Sequence, residues 1–546
     1  MHFTWLSRHA SQFFMLVIVL RATTSGDAAD TLTNAVPGLQ PTSATLQQVV
    51  ALYHKAVEAA YTPAYSQEWS ITTSGLHGTE ILLRNGRNWW ENETLGPFTT
   101  LYGRKDGQDW FQNENGYTVL VHDAHHMYGV SNGAVASAIA GDIEPGVTLL
   151  GEVDSPIAAY VVDVNPPQGR HEHLFIDKTT GDLIRREEFS YGQRFVTTYD
   201  DFRETQGVRA AWHVRYTDGH PENDDDEQMV SFSIGAPQAT HAFDIPTDRR
   251  VVVEFPAGQH VVTLPVTIDE YGRIIVHASI AGRGVDFQLD SGASSIVLDD
   301  QVAKQLGLPT YGTSIETTAG SYTAHRVVIP EVRIGDLRMH NIVADTFPFT
   351  DQEDEATKIV GLLGFDFIAD TVLHVDYYHH KVDAIDPGFF TAPATARMLT
   401  IDLDDRVPFA PGSIGGVTGS HFIIDTGADL TTVFSSFAAT HPDAVRDTGL
   451  GKTIRMGTEF DPEADAVGGT FTEQPAEVSS FQVGSLNFTN WLLMVGHTPA
   501  SYNDTDEIGL VGADFLSLFD VWFDYSNSAI YLDPNDTFRK YFRINQ

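Results

Sequence analysis

Two stretches hold residues whose types and spacing could do chemistry: Val285-Asp286-Phe287-Gln288-Leu289-Asp290-Ser291-Gly292-Ala293 and His421-Phe422-Ile423-Ile424-Asp425-Thr426-Gly427-Ala428. Each is an apolar-rich run ending in Asp-Ser/Thr-Gly-Ala, which reads as a strand that delivers a carboxylate onto a tight turn. Two carboxylates brought to hydrogen-bonding distance cannot both ionise, so one pKa rises, the other falls, and the pair holds a single proton. Such a pair can split a carbonyl compound with water. The ionised member takes a proton from the water while the protonated member donates to the carbonyl oxygen under attack. This chemistry needs no metal, covalent intermediate or cofactor, and none is expected. Glycine after the Ser/Thr lets backbone approach the carboxylate, and the Ser291 and Thr426 hydroxyls can bond across a shared axis to hold the turns together.

One Asp-Thr-Gly turn is common, but these two lie inside a longer internal repeat. The aspartates are 425 − 290 = 135 apart, Ile334-Gly335-Asp336-Leu337 matches Val483-Gly484-Ser485-Leu486 at 149, and Gly361-Leu362-Leu363-Gly364 matches Gly509-Leu510-Val511-Gly512 at 148. The register then holds: Val375-Asp376-Tyr377 matches Phe523-Asp524-Tyr525 at 148, and Ile385-Asp386-Pro387 matches Leu532-Asp533-Pro534 at 147. The second copy therefore has 148 − 135 = 13 extra residues, placed in the stretch 457–469.

The order within each copy is strand, Asp turn, helix or loop, Gly-containing hairpin, strand, then apolar-apolar-Gly before a short helix. It resembles the retropepsin-like aspartic peptidases, and two fused copies look like a single-chain form of that family's homodimer over residues 260–540. The resemblance implies a mainly β fold of two barrel lobes about a pseudo-twofold axis, with Asp290 and Asp425 as the catalytic dyad of an endopeptidase. Ser291, Gly292, Thr426 and Gly427 would support the dyad, and a polypeptide would be the substrate. Ala293, Ala428 and Asp429 fall to substrate binding. Asp429 matches the family position that receives hydrogen bonds from substrate backbone, where the first copy has Ser294, so the two sides of the cleft should differ. Flap hairpins are expected at Thr317–Tyr322, with Gly320 at the turn, and around Val467–Thr470, with Gly469. After the first Asp turn, Asp299–Leu306 can form a short helix closed by Gly307.

The elements that precede the repeat are different. Ser43–Tyr61 places Leu46, Val49, Val50, Tyr53 and Val57 on one helical face. From about 66 to 240, short alternating runs are broken by turns: Thr79–Trp90 reads as a hairpin around Asn85-Gly86, and Leu174–Phe189 as another around Gly181. An antiparallel sheet with an N-terminal helix is the sum. The Ile176-Asp177-Lys178-Thr179-Thr180-Gly181 turn, with Thr198-Tyr199-Asp200-Asp201-Phe202 and Gly207-Val208, resembles the half-barrel of periplasmic lipoprotein carriers. His171 and His173 can share a strand face, but no third metal ligand is evident, so they read as a solvent-facing pair; His122, His125 and His126 read likewise. The Asp224-Asp225-Asp226-Glu227 run reads as a solvated loop.

Composition narrows the function classes. The 33 Lys and Arg against 73 Asp and Glu give a formal charge of −40 across 546 residues, which repels nucleic acid and anionic membrane surfaces. That charge shrinks as carboxylates protonate, so activity is expected at mildly acidic pH. With no Cys there are no disulfides and no thiolate sites. Residues 1–29 read as an export signal, with Arg8 and His9 before the apolar run Phe13–Leu20, which is too short to span a bilayer. The plan is a signal at 1–29, a β-rich accessory domain at 30–245 and peptidase lobes at 246–393 and 394–546, exported to a periplasmic or extracellular space. A short connection at Asp386–Ala396 favours pairing of the lobes within one chain and a monomer without stable membrane insertion. The rival reading is a non-catalytic exported protein that binds a polypeptide or a lipid on the same fold.

Overall fold

In the computed structural model the described residues are 35–542, apart from 60–63, 122–125, 144, 168, 191–192, 236–241, 318–320, 350–358, 404, 448–462, 467–468 and 498–506. The proposed signal, Gly320 at the first flap tip and most of the 13-residue insertion lie outside them. No helix among the described residues is long and apolar enough to cross a membrane.

The alternating runs of the N-terminal part form one antiparallel sheet of thirteen strands. Sequential hairpins build two meanders, from Ala64–Thr73 out to Thr118–Val121 and from Val147–Val153 to Asp225–Ile234. Pairing of Ala64–Thr73 with Asp225–Ile234 joins them. The 176–181 turn shows how local chemistry shapes the sheet. The Asp177 carboxylate accepts from the Thr179 and Thr180 amides at 2.7 Å each. Gly181 follows at φ +79°, where a Cβ would stand 2.4 Å from the Leu52 carbonyl oxygen. Only glycine meets both demands, so this turn packs directly on the helix Leu46–Ala59. That helix buries Val49 and Tyr53 against the sheet, as its pattern predicts.

The structure corrects three expectations in this region. A second helix, His126–Ala140, covers the sheet beside the first. Its sequence is apolar on most sides and interrupted by Gly129 and Gly133, so neither periodicity nor propensity marks it. Its Val135 and Ala138, with Val49 and Tyr53 of the first helix, line a small apolar cavity over Val162, Leu174 and Ile176. The acidic run is no loop: Asp225 opens a strand, and Asp225 and Glu227 are buried. His173 is also buried rather than solvent-facing.

Each copy of the repeat folds into one mixed sheet. In the first, Arg283–Leu289 pairs in parallel with Ile359–Leu363, and Ile274–Ile280 pairs with Ser321–Ile334 to turn the sheet back on itself. In the second, Val417–Ile424 pairs in parallel with Glu507–Val511, and Phe409–Ile414 pairs with Gly469–Val483. The short helix after the first turn is Asp300–Gln305, capped by the Asp299 carboxylate and followed by Gly307 at φ +68°.

A separate six-stranded sheet joins the copies, in the order Val261–Thr263, Lys381–Ile385, Val372–Asp376, Phe519–Asp524, Ala529–Pro534 and Arg397–Thr400. At its centre Val372 pairs with Asp524 and Asp376 with Asp520. Each of these pairs maps onto the other under the 148-residue offset, which is the register of a local twofold axis through the pair His374–Trp522. Those two rings stack at 4.2 Å with 4° between their planes. Strands Val372–Asp376 and Phe519–Asp524 thus pair within the one chain.

Candidate active site

Each aspartate emerges just past the end of a central strand. Strand Arg283–Leu289 stops one residue before Asp290 and Val417–Ile424 one before Asp425. The parallel neighbour extends each by one more bond, as the Asp290 amide donates to the Leu363 carbonyl at 3.1 Å and the Asp425 amide to the Val511 carbonyl at 3.0 Å. The chain then turns sharply, and each carboxylate accepts from the amide two residues on: Gly292 to Asp290 at 2.9 Å and Gly427 to Asp425 at 2.7 Å.

The two turns interlock. The Ser291 amide donates to the Thr426 hydroxyl at 3.0 Å and the Thr426 amide to the Ser291 hydroxyl at 2.9 Å. Each hydroxyl then donates across the axis, Ser291 to the Ile424 carbonyl at 2.7 Å and Thr426 to the Leu289 carbonyl at 2.9 Å. Four reciprocal bonds among buried groups leave neither turn free to shift alone. The glycines set how closely the turns meet. A Cβ on Gly292 would lie 2.7 Å from the Asp425 carboxyl carbon, and one on Gly427 would lie 2.6 Å from that of Asp290. Both carboxylates are 0% exposed.

Burial is the main force on this pair and pushes both carboxyls up. Asp290 rises further, because the charge of Asp425 and the hydrogen bond to it both favour the protonated form. Asp425 is pushed up to about 6, restrained by the Gly427 amide and the bond from Asp290. Two carboxyls raised by burial in this way hold one proton between them, and the pair as a whole titrates.

The other expected residues are placed as follows. Ala293 and Ala428 are buried, and their carbonyls accept from the Phe365 and Ala513 amides at 2.9 and 2.8 Å, tying each Asp turn to the helix after its Gly pair. Asp429 is half-buried and its carbonyl accepts from the Asp514 amide at 3.0 Å. Gly469 opens the strand Gly469–Val483, which pairs with Glu463–Ala466 as a hairpin. The first hairpin, Thr310–Thr317 with Ser321–Ile334, also forms, although Gly320 is outside the described residues.

Four residues that sequence reasoning did not single out complete the surroundings. Tyr377 and Tyr525 are buried at matching positions of the repeat, with hydroxyls that have no hydrogen-bond partner among the described residues. Burial and then the dyad's charge push both phenols up. Their only advance signal is the 148-residue match. Gln288 donates to the Gly427 carbonyl at 3.1 Å and adds a bond across the axis from one side alone. Asn113, far away in the sequence, donates to Asp366 at 2.7 Å. In the second copy the matching Asp514 accepts from the Thr431 amide and hydroxyl at 2.8 Å each. In the first copy Ile296 stands where the second has Thr431, so the N-terminal sheet supplies the missing donor. Removing it with Asn113→Ala leaves Asp366, a buried carboxyl pushed up to about 6 mainly by desolvation, without that amide. The expected cost is about 2 kcal/mol of unfolding free energy, read as a lower urea midpoint.

The same sheet grips the first flap hairpin. The Thr313 amide donates to the Ser74 carbonyl at 2.8 Å, and Asn223 exchanges two 2.7 Å bonds with the Ile315 backbone. Glu114 pairs with Arg326 at 3.0 Å. Between sheet and hairpin lies a cleft of about 1090 Å³ that includes open solvent and is lined by Tyr102, Ser294, Glu316, Arg326 and Asp345. The dyad does not line it.

A family model described as Aspartyl protease matches residues 276–367, the part of the chain that runs from the strand before Asp290 to the helix after the first Gly pair. The chain thus carries an aspartyl-protease-like segment. Similar solved structures include a retropepsin-like aspartic protease from Rickettsia conorii, at 20% identity over 24% of this chain and 92% of that one, with a TM-score of 0.18. Others are a DUF1329 family protein from Desulfovibrio piger (11% identity, 37% and 97% covered, TM-score 0.28) and a LolA superfamily protein from Nitrosomonas europaea (12%, 37% and 98%, TM-score 0.27). A search of the curated proteins finds no match.

Proposed function

We propose that the chain is an exported aspartic endopeptidase in which residues 246–393 and 394–546 are two fused retropepsin-like copies and 30–245 is an accessory domain. The observation that carries this reading is the buried Asp290–Asp425 pair, held by reciprocal Ser291 and Thr426 bonds. A structural role alone gives no reason to bury two carboxyls face to face, since desolvating such a pair is costly. In the mechanism, Asp425 in its ionised form takes a proton from a water between the carboxyls. The water oxygen attacks the peptide carbonyl carbon, and the Asp290 proton passes to the carbonyl oxygen. Collapse of the tetrahedral intermediate expels the amine, which receives the proton held by Asp425, while the Asp290 proton returns from the hydroxyl. Asp429 then offers a carboxylate to substrate backbone on one side of the cleft, where the first copy has Ser294 instead, so the two sides differ.

The sheet's bonds to residues 313 and 315 tie the first hairpin to the accessory domain. The test is cleavage of a peptide library by the mature protein across pH 3 to 8, beside Asp290→Asn and Asp425→Asn. Abolished cleavage in both variants is expected; cleavage unchanged in either removes the assignment.

A further inference from the structure

A second cluster of ionisable groups lies in the N-terminal sheet, unconnected to the dyad. Strands Ala159–Val164, His171–Asp177 and Leu183–Ser190 run side by side, and their register sets Asp163 opposite His173 and His173 opposite Glu187. The three residues form one row across three strands. His171, two residues before His173, stands on the same face. Asp163 Oδ1 is 2.7 Å from His171 Nε2 and 3.3 Å from His173 Nε2, so both imidazoles turn the same nitrogen toward one carboxylate oxygen. Ligand atoms of the three side chains all lie within 4.8 Å of one another.

The surroundings are built to hold that arrangement. His173 is 1% exposed, and its other nitrogen, Nδ1, faces Glu187 Oε2 at 3.7 Å without a hydrogen bond. Glu187 is itself fixed by the guanidinium groups of Arg185 and Arg194. Phe189 seats both imidazoles, with ring centroids 5.0 Å from each. The side chains of His171 and Asp163 are 19% and 20% exposed, so the cluster is closed behind His173 and open on the other side.

We propose that Asp163, His171 and His173 form a site for a divalent transition-metal ion of the zinc class. It is bound by two Nε2 atoms and one carboxylate oxygen, with Glu187 as the partner that orients His173. Two imidazoles and a carboxylate suit zinc, nickel or copper, and hard ions such as calcium want more oxygens. Ligands about 2.0 to 2.1 Å from a tetrahedral ion stand about 3.3 Å apart, which His173 and Asp163 already do. A carboxylate behind a ligating histidine is the usual second support. Three protein ligands leave a fourth position on the open side for water or a further ligand. With no Cys in the chain, no thiolate competes for the ion. The site is independent of the peptidase reading and stands or falls without it.

Zinc chloride titrated into the full mature chain against a chelating dye tests it directly, with Co²⁺ as a spectroscopic stand-in. One equivalent is expected to bind, with a Co²⁺ absorption band, and calcium should not compete. His171→Ala and Asp163→Asn, at the half-buried positions, should each weaken zinc by at least about tenfold and remove the band, with far-UV circular dichroism unchanged. No stoichiometric binding by the wild type, or equal affinity in both variants, would overturn the site.

Discussion

Asp425→Asn is expected to lower kcat for peptide cleavage by at least about 10³-fold, because an amide cannot take the proton from the attacking water. The substitution keeps the shape of the turn. Its side-chain oxygen can still accept from the Gly427 amide, now at 2.7 Å, so circular dichroism should not change. Asp290→Asn should be equally inactive for the opposite reason, since the proton for the carbonyl oxygen is gone. The pH profile separates this account from a simple loss of binding. Burial pushes both carboxyls up, so the wild-type rate should rise through an acid limb above the ordinary carboxylate range and fall again where the pair gives up its shared proton. The mildly acidic optimum expected from net charge alone thus moves toward neutrality. The variants should also differ in stability from the wild type. A carboxyl whose folded pKa is raised stabilises the fold only while protonated, and that contribution is lost as pH rises through the folded value. Asp290→Asn should therefore be more stable than the wild type under alkaline conditions, measured by thermal melting. Full cleavage by either variant, or an acid limb near pH 3, contradicts the scheme.

Glu316→Gln is expected to stabilise the protein at pH 7 by about 3 kcal/mol and to do almost nothing at pH 4. Glu316 lies buried on the first flap hairpin, and desolvation pushes its carboxyl up to about 8; the Ser314 hydroxyl, donating at 2.8 Å, offsets only part of this. The sign follows from proton counting. Below the unfolded value near 4.5 both states hold the proton, whereas between 4.5 and 8 the folded protein holds a proton that the unfolded chain has released. Stability therefore falls with rising pH across that window, at about 1.4 kcal/mol per unit. Glutamine keeps an acceptor for Ser314 and carries no proton to lose, so its melting temperature should stay level where that of the wild type declines. Parallel pH curves for the two proteins would show that Glu316 is ionised in the folded state.

Much of the core of the candidate site is legible in the sequence. The two Asp turns, the glycines after them, the hydroxyls of Ser291 and Thr426 and the 148-residue offset all depend on short-range chemistry repeated twice, and repetition separates such a pattern from ordinary turns. The hairpin around Gly181 and the helix ending at Gly307 were legible for a similar reason, since each rests on a local cap or turn. The helix His126–Ala140 was not, because its small, evenly apolar residues carry no period and its burial comes from the sheet beneath it. The acidic run at Asp224–Glu227 misled because charge density marks solvent only on average, and here alternate residues of a strand face inward.

The sequence by itself determined which residues can meet as a dyad and that the two halves share one plan, since strand period, turn chemistry and spacing are properties of short segments. Only the tertiary structure decided how deeply the pair is buried, that Asn113 serves Asp366 where the second copy uses Thr431, that the N-terminal sheet holds the first hairpin, and that Asp163 joins His171 and His173. Asn113 and Asp366, and the sheet and the hairpin, are far apart in the chain but within a few ångströms in space, and the Asp163 cluster depends on the pairing of adjacent strands. Burial, which sets the strength of every such interaction, is a property of the whole fold.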